Sequence, residues 1–395
     1  MSEERFDLIE RCEDILDCID RKNTDCVKYD SIINKYGEDV IPAWIADMDF
    51  KTAPKILEAF VKRIEHGVFG YTFRSKNYYE AIVKWYEKRH NCKINSEWIV
   101  DGPGVVPMIA ILVNTLTQPG DKVIIQPPVY PPFFAAIEKN ERTIVENRLR
   151  RTQNSYQMDF ENLEKVIDEK TKLMIISNPH NPVGRVWTYQ ELERLYSIAL
   201  KYGLIIISDE IHADIIYKPN EFTSLLKVAQ RNVIVLNSPG KTFNVPGLTN
   251  SYGIIPDKEL RTFYNKAIEK LELTTGNIFG ITALCAAYSQ GEQWLTELID
   301  FLQSNRDYVY DFVKKNMPLI DMTLPEGTFL MWLDCSKLRL ENPQKFFLQN
   351  ARVYLNNGAD FGDPNSVRLN IACSRKTLEQ IMERMKVAYD SLNHR

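Results

Sequence analysis

The lysine at position 241 stands where an amine could act as a nucleophile or a base. It lies in SPGKTF (238–243), directly after the apolar run NVIVLN (232–237). In such a turn an ammonium group can be desolvated, which makes loss of its proton easier and leaves a reactive amine. Most lysines are surface charges, so the assignment of Lys241 as a catalytic residue depends on the side chains near it.

Two further polar motifs follow apolar runs in the same way. Asp209 ends LIIISD (204–209), and Asn181 lies in NPHNPVG (178–184) after KLMIIS (172–177). A carboxylate at the end of a buried run must be paired or solvated, and a protonated pyridine nitrogen is one partner that satisfies it. Asn181 could donate a hydrogen bond to a phenolate-type oxygen, although two Asn-Pro steps are also typical of plain turns.

A glycine turn provides a candidate anion site. GPGVV (102–106) precedes a predicted helix from Val105 to Leu116, and the first N–H groups of a helix can bind a phosphate. Gly-Pro before a helix is more often only a turn. The anion site at Gly104 therefore depends on the other motifs.

These motifs need elements that bring them to one place. Runs typical of buried strands alternate with helical patterns through the middle of the chain, and they lie at 98–100, 122–126, 172–177, 204–209 and 232–237. This alternation predicts an α/β domain with a mostly parallel, doubly wound sheet. Ligands bind beyond the carboxyl ends of such strands, where the motifs would meet.

The pattern changes after about residue 290. A long helix, two short strands and a final helix are predicted at 294–315, 328–334, 366–372 and 377–392. This order is typical of a smaller α+β domain. We expect a large domain at 46–290 and a small domain formed by 1–45 together with 291–395.

Composition excludes several classes of protein. The formal net charge is -4, so the chain has no cationic excess for nucleic acid or an anionic membrane surface. The seven cysteines form no C-x-x-C pair and are odd in number, which argues against a metal site and a disulfide framework. The acidic N-terminus is unlike a signal peptide, and no apolar run reaches the roughly 20 residues that span a bilayer. We expect a cytoplasmic protein, without a metal, that acts on a small molecule.

Six residues in order resemble the pattern of the fold-type I pyridoxal phosphate (PLP) enzymes of the class I/II aminotransferase group, over nearly the whole chain. They are Gly104, Tyr130 in PPVYPPF, Asn181, Asp209, Lys241, and Arg368 in SVRLNIA. Within that group, four motifs are similar to the MalY/PatB family of cystathionine β-lyases, also called C–S lyases: WIADMDF (44–50), NPHNPVG, SDEIHADI (208–215) and PEGTFLMWLD (325–334). The resemblance implies the fold-type I PLP-dependent transferase fold.

The resemblance implies a role for each residue around the cofactor ring. Lys241 would hold PLP as a Schiff base, Asp209 would pair with the ring nitrogen, and Tyr130 would stack on the ring. The O3′ oxygen would be hydrogen-bonded by Asn181 and His212.

The resemblance also implies the contacts of the phosphate. These are Ser238, the amides of Gly104 and Val105, and Tyr71 in FGYTF from a neighbouring subunit, which implies a homodimer. Many relatives carry an arginine for the phosphate eight residues after the Schiff-base lysine, and Thr249 occupies that place here. The phosphate therefore needs other partners.

On the substrate side, Arg368 has the fork geometry to bind an α-carboxylate bidentately. Trp44, Ala46 and Asp47 are expected near the mouth of the site. A packing role is nearly as plausible for Trp44.

The resemblance favours elimination over transfer. Lys241 would remove the Cα proton as a general base, and a thiolate on the β-carbon would then leave, so that S-substituted L-cysteines such as L-cystathionine give a thiol, pyruvate and ammonia. An aminotransferase uses the same lysine, aspartate and arginine and is the main alternative. A regulatory binding protein that has kept this fold is the second, although the sequence has no appended helix-turn-helix or basic region.

Overall fold

The computed structural model describes residues 18–153 and 155–394. Residues 1–17, with Cys12 and most of the acidic N-terminal segment, lie outside the described residues. The strands are β1 (Ile41–Pro42), β2 (Ile99–Gly102), β3 (Lys122–Ile125), β4 (Thr143–Glu146), β5 (Arg150–Arg151), β6 (Tyr156–Gln157), β7 (Thr171–Ser177), β8 (Ile205–Asp209), β9 (Val233–Asn237), β10 (Ser251–Ile254), β11 (Leu330–Asp334), β12 (Val353–Tyr354), β13 (Asn356–Asn357) and β14 (Ser366–Asn370).

The central sheet has seven strands in the order β2-β10-β9-β8-β7-β3-β4. Strand β10 is antiparallel to both of its neighbours, and the other strands run in one direction. The predicted strands are confirmed as β2, β3, β7, β8 and β9, and the mostly parallel sheet is confirmed with them.

Strand β10 was not predicted because its sequence, SYGI, is short and interrupted by a glycine. A Cβ atom at Gly253 would lie 3.0 Å from Val100 Cγ2 and 3.1 Å from Met108 Cε. Strand β10 packs closely against β2 and against the helix that begins at Val105, which favours glycine at position 253. A glycine within a strand weakens the sequence pattern by which strands are predicted.

The α-helices are α1 (Asp30–Tyr36), α2 (Pro54–His66), α3 (Lys76–His90), α4 (Val105–Leu116), α5 (Pro131–Glu138), α6 (Phe160–Val166), α7 (Tyr189–Lys201), α8 (Pro239–Thr242), α9 (Lys258–Lys270), α10 (Ile278–Gln290), α11 (Glu292–Asn316), α12 (Pro343–Asn350) and α13 (Arg375–Asp390). Helix α7 begins at a capping box, in which Thr188 Oγ1 accepts from Glu191 N and the Glu191 side chain accepts from Thr188 N. Such reciprocal bonds satisfy two backbone donors that a helix leaves free.

Helices cover both faces of the central sheet. Along β7, Leu173 and Ile175 pack into one apolar cluster with α4, α5 and α9, whereas Met174 and Ile176 pack into another with α3, α7 and α10. Side chains of a strand alternate between its two faces, so a continuous apolar run is what a strand buried on both sides requires.

A second, three-stranded antiparallel sheet has the order β11-β14-β13. Strand β1 pairs in parallel with β12, so the chain before the central sheet packs against the part that follows it. The proposed domain boundaries at residues 46 and 290 stay a prediction.

Two findings concern the whole described chain. None of the helices within residues 18–153 and 155–394 combines the length and apolar character needed to cross a membrane. The described cysteines are free thiols: Cys18, Cys26, Cys92, Cys285, Cys335 and Cys373.

Candidate active site

A cavity of about 280 Å³ lies at the carboxyl ends of β7, β8 and β9, beside the first turn of α4. Parallel strands end at one edge of a sheet, so the motifs that follow them meet there. Most of the predicted site residues line this cavity: Ala46, Gly104, Val105, Tyr130, Asn181, Asp209, His212, Ser238 and Lys241.

Lys241 lies in the single turn of α8, and its Nζ donates a hydrogen bond to the carbonyl oxygen of Ala46. Burial, followed by the charge of Arg368, lowers the pKa of Lys241 to about 8, although Asp47 and Asp209 act in the opposite direction. Part of the amine population is therefore unprotonated near neutral pH, which is the form that a nucleophile or a general base needs.

Asp209 ends β8 as a buried carboxylate. Its Oδ1 accepts a hydrogen bond of 3.1 Å from Ile211 N, and no salt bridge to it is found among the described residues. Burial raises the pKa of Asp209 to about 7, and the charge of Lys241 opposes this only in part. A buried carboxylate that forms no salt bridge is suited to pair with a ligand that brings a protonated nitrogen.

Arg368, on β14, is buried and holds only neutral acceptors. Its Nη1 donates to Asn181 Oδ1 at 2.8 Å, and its Nη2 donates to Asn356 Oδ1 at 2.6 Å and to Trp44 O at 3.1 Å. Its Nε has no hydrogen-bond partner, and burial lowers the pKa of Arg368 to about 10. An oriented guanidinium with no carboxylate beside it is prepared to bind an anionic ligand.

The turn before α4 leaves free N–H groups at the cavity. Gly104 has φ +141°, a conformation that glycine adopts readily and other residues do not. Its amide donates to Ser251 Oγ at 2.8 Å, so the amides of Val105 and Val106 are the ones without an acceptor within the helix. Both residues line the cavity, so the positive end of the helix dipole lies at the cavity.

The wall beside this turn is neutral. Ser238 Oγ donates to Asn250 O at 2.7 Å and accepts from Gly240 N at 3.0 Å. Thr249 also lines the cavity, with φ +46°. Within the described part of the chain, Lys241 is the one lysine or arginine among the lining residues.

Two rings complete the wall. Burial raises the pKa of Tyr130, which lies just before α5. Burial, then the charges of Lys241 and Arg368, holds the pKa of His212 well below its usual value, so its imidazole is neutral. His212 lies in a turn after β8, and its Nδ1 has no hydrogen-bond partner.

Two residues expected at the mouth of the site have other contacts. The indole Nε1 of Trp44 donates to Lys28 O at 3.0 Å, and its ring packs edge-on against Tyr354. Only the carbonyl of Trp44 reaches Arg368. The carboxylate of Asp47 is bound by both terminal nitrogens of Arg21 at 2.8 Å.

Tyr71 lies away from the cavity of its own chain and is fully exposed. Its neighbours Val68, Phe69 and Phe73 are exposed as well, at 61%, 56% and 82%. A contact between Tyr71 and a cofactor would therefore have to form with another subunit.

Sequence reasoning missed Ser177, Asn250 and Asn356. Ser177 ends β7 and Asn250 precedes β10, and both line the cavity. Asn356 lies in the two-residue strand β13, opposite Arg368 in the antiparallel register. A strand of two residues carries no periodic signal, whereas Ser177 could have been found from its position at the end of a predicted strand.

A model of the family "Aminotransferase class I and II" matches residues 40–385. The chain is 38% identical to cystathionine beta-lyase PatB of Bacillus subtilis (strain 168) over 378 residues, which cover 93% of this chain and 98% of PatB. It is 35% identical to protein MalY of Escherichia coli (strain K12) over 370 residues, with 92% and 95% covered.

The fold is also similar to solved structures. That of the PLP-bound C–S lyase from Staphylococcus hominis superposes with a TM-score of 0.90 at 32% sequence identity, and the match covers 94% of this chain and 97% of that one. The similarity therefore extends over the central sheet, the three-stranded sheet and the residues that line the cavity.

Proposed function

The chain belongs to the class I and II aminotransferase family, in the group of PatB and MalY, and from this premise we propose that it is a PLP-dependent carbon–sulfur lyase of the cystathionine β-lyase type. It would cleave S-substituted L-cysteines into a thiol, pyruvate and ammonia. The observation that carries the proposal is the presence of Lys241, Asp209 and Asn181 in one cavity, with Arg368 bonded to Asn181.

The residues of the cavity fit PLP. Asp209 is a buried carboxylate without a cationic partner, which matches a protonated ring nitrogen. The amides of Val105 and Val106 and the hydroxyls of Ser238 and Thr249 would hold the phosphate. Bound PLP supplies an electron-accepting ring that stabilises the charge left when a bond to the substrate Cα breaks.

On this proposal the oxygen and the NH₂ group of the Asn181 side chain bond to different partners. Its oxygen accepts from Arg368, which leaves its NH₂ group to donate toward the O3′ oxygen of the cofactor. The neutral His212, whose Nδ1 has no hydrogen-bond partner, lines the same cavity and would also hydrogen-bond the O3′ oxygen. Tyr130 would cover one face of the ring.

Arg368 would bind the substrate α-carboxylate. The carboxylate would replace a neutral acceptor such as Asn356 Oδ1 with a charged one, and bonds between charged groups are stronger. Binding at this point would fix the orientation of the amino acid relative to Lys241.

Lys241 would move the protons of the reaction. Its pKa of about 8 allows Nζ to accept the Cα proton near neutral pH. The same Nζ, once protonated, would return the proton to the sulfur of the thiolate that leaves the β-carbon.

The lining of the cavity favours a lyase over a dicarboxylate transaminase. Among the described residues, no arginine lines the cavity itself. Of the arginines described, Arg368 is the one that donates a hydrogen bond to a lining residue, Asn181. A second carboxylate on the substrate would therefore find no matched charge. An aminotransferase of another specificity remains the alternative, since the matching family model is that of aminotransferases.

We further propose a homodimer in the cytoplasm. The exposed apolar group formed by Val68, Phe69, Tyr71 and Phe73 is the kind of surface that a subunit interface covers. The segment is anchored by Arg74, whose Nε lies 3.0 Å from Asp101 Oδ1. A second copy placed on it would bring Tyr71 toward the partner's phosphate site.

The purified protein should release pyruvate, ammonia and homocysteine from L-cystathionine without an added keto acid. A coupled lactate dehydrogenase assay measures the pyruvate. A strict requirement for a keto acid, with formation of a new amino acid, would contradict the lyase proposal and favour the aminotransferase.

A further inference from the structure

Asp214 is a buried carboxylate that the chemistry above does not use. It is 1% exposed and lies in the turn after β8, five residues beyond Asp209. It is not among the residues that line the cavity. A charge buried behind an active site needs partners, and its partners indicate what it does.

The carboxylate joins two helices. Its Oδ1 accepts from Trp85 Nε1 at 3.0 Å and lies 3.2 Å from His90 Nε2, both at the end of α3. Its Oδ2 accepts from the hydroxyl of Thr242 at 2.8 Å. Thr242 is the residue directly after Lys241 and is fully buried.

Asp214 is ionised in this setting. Burial alone would raise its pKa, but the close contact with His90, the charge of Arg89 and the hydrogen bond from Thr242 hold that pKa below its usual value. Arg89 also donates from Nη2 to the Asp214 carbonyl at 3.0 Å. The bond from Thr242 is therefore made to a charged acceptor, which makes it one of the stronger kind.

The turn that carries Lys241 is held at its two ends by hydroxyl groups. At the start of α8, Ser238 Oγ bonds to Asn250 O and Gly240 N. At the end, Thr242 bonds to Asp214. In the central sheet, Asp209 of β8 is already paired with Leu236 of β9. The bond between Thr242 and Asp214 adds a second connection, between the segments that follow these two strands.

We propose that Asp214 is a positioning residue, which through Thr242 fixes the direction of the Lys241 side chain relative to Asp209. The inference rests on the proposed role of Lys241. With the bond in place, Nζ is kept at the distance and angle that both the linkage to the cofactor and proton removal from Cα require. Without it, the turn keeps its Ser238 contacts, but Lys241 samples a wider range of positions.

The test uses Thr242→Val, which removes the hydroxyl and keeps the branched shape, in the PLP-loaded enzyme. We expect kcat for cystathionine to fall roughly 10- to 100-fold, since small misplacements of a catalytic group have effects of this size, while KM changes little. The pH titration of the visible band of the lysine-bound cofactor should also shift its midpoint. Thr242→Ser, which restores the hydroxyl, should return both quantities toward the wild type.

Thr171→Val is the matched control. Thr171 is also buried and donates from Oγ1 to a carboxylate, Asp168 Oδ1, at 3.0 Å. It begins β7, whereas Ser177 at the other end lines the cavity, about 20 Å along the strand. This control should lose some thermal stability and keep the wild-type kcat and titration midpoint.

A double-mutant cycle tests whether Asp214 acts through Thr242. If it does, Asp214→Asn combined with Thr242→Val should be no slower than the slower single variant. Fully additive losses in kcat would overturn the inference. So would a Thr242→Val enzyme that loses stability but keeps its kcat and titration midpoint, or one that fails to fold in circular dichroism. A wild type that stays colourless with PLP would contradict the proposed function as well. This outcome distinguishes failure of the proposed function from failure of the inference about Asp214.

Discussion

Arg368 Nη1 donates a hydrogen bond of 2.8 Å to Asn181 Oδ1. This bond joins the residue that would bind the substrate carboxylate to the residue that would contact the cofactor oxygen. The two lie 187 positions apart in the chain, Asn181 in the turn after β7 and Arg368 on β14. On the proposed roles, substrate binding at Arg368 would therefore be connected to the cofactor by a single amide group.

Replacement of Arg368 by lysine tests the carboxylate site. Lysine keeps the charge but loses the planar fork, so one of two charge-assisted hydrogen bonds is lost, and kcat/KM should fall roughly 10- to 100-fold, as expected for a bond of about 1.5–3 kcal/mol. Most of the change should appear in KM. The exposed Arg231, changed to lysine, is the control, and an unchanged kcat/KM in Arg368→Lys would contradict the assignment.

Asp209 should give the cofactor-free protein a measurable pH dependence. Its pKa is about 7 in the folded chain, against roughly 3.9 in an unfolded one. Between these values the folded chain holds a proton that the unfolded chain has released. The free energy of unfolding therefore falls as the pH rises from about 4 to about 7, by at most ~1.4 kcal/mol per pH unit.

The variant Asp209→Asn removes this dependence, so without PLP it should be more stable than the wild type near pH 8, and the two should converge toward pH 4. Urea unfolding at several pH values measures the difference. Glu210, whose pKa burial raises to about 8, titrates in both chains, and its titration differs between them only through the loss of the Asp209 charge. Asp300→Asn, at an exposed position, is the control. Parallel stability curves for Asp209→Asn and the wild type would show that Asp209 is not a buried, uncompensated carboxylate.

Tyr71 can be tested by mixing two inactive variants. Tyr71→Ala should lose affinity for PLP, and Lys241→Ala should lose the base. If Tyr71 serves the partner's site, subunit exchange between the two creates one intact site in each mixed dimer, or about a quarter of the wild-type activity for a random mixture. No recovery after verified exchange would place Tyr71 outside the partner's site. Tyr202→Ala, at another exposed tyrosine, controls for simple loss of surface area.

The strand-end residues could be predicted from sequence, and the physical reason is the parallel sheet. Asn181, Asp209 and Lys241 each follow an apolar run, and parallel strands place their carboxyl ends at one edge. These positions predicted that the three side chains meet in one cavity, and the structure places all three residues in it.

The residues that reach the site from elsewhere could not be found in this way. Asn356 contacts Arg368 from a strand of two residues, and Asp214 contacts Thr242 from a turn. Both contacts depend on how segments distant in the sequence pack together, and a local sequence pattern carries no information on that packing. A contact between Tyr71 and the cofactor would depend on a second chain, and it stays a proposal.

The visible absorption spectrum of the purified protein with PLP tests the role of Lys241 most directly. The wild type should show the visible band of a lysine-bound cofactor, and Lys76→Ala, at an exposed lysine, should keep it. Lys241→Ala should bind PLP without forming that band and should release no pyruvate from cystathionine. A colourless wild type, or a Lys241→Ala protein with the wild-type band, would contradict the account.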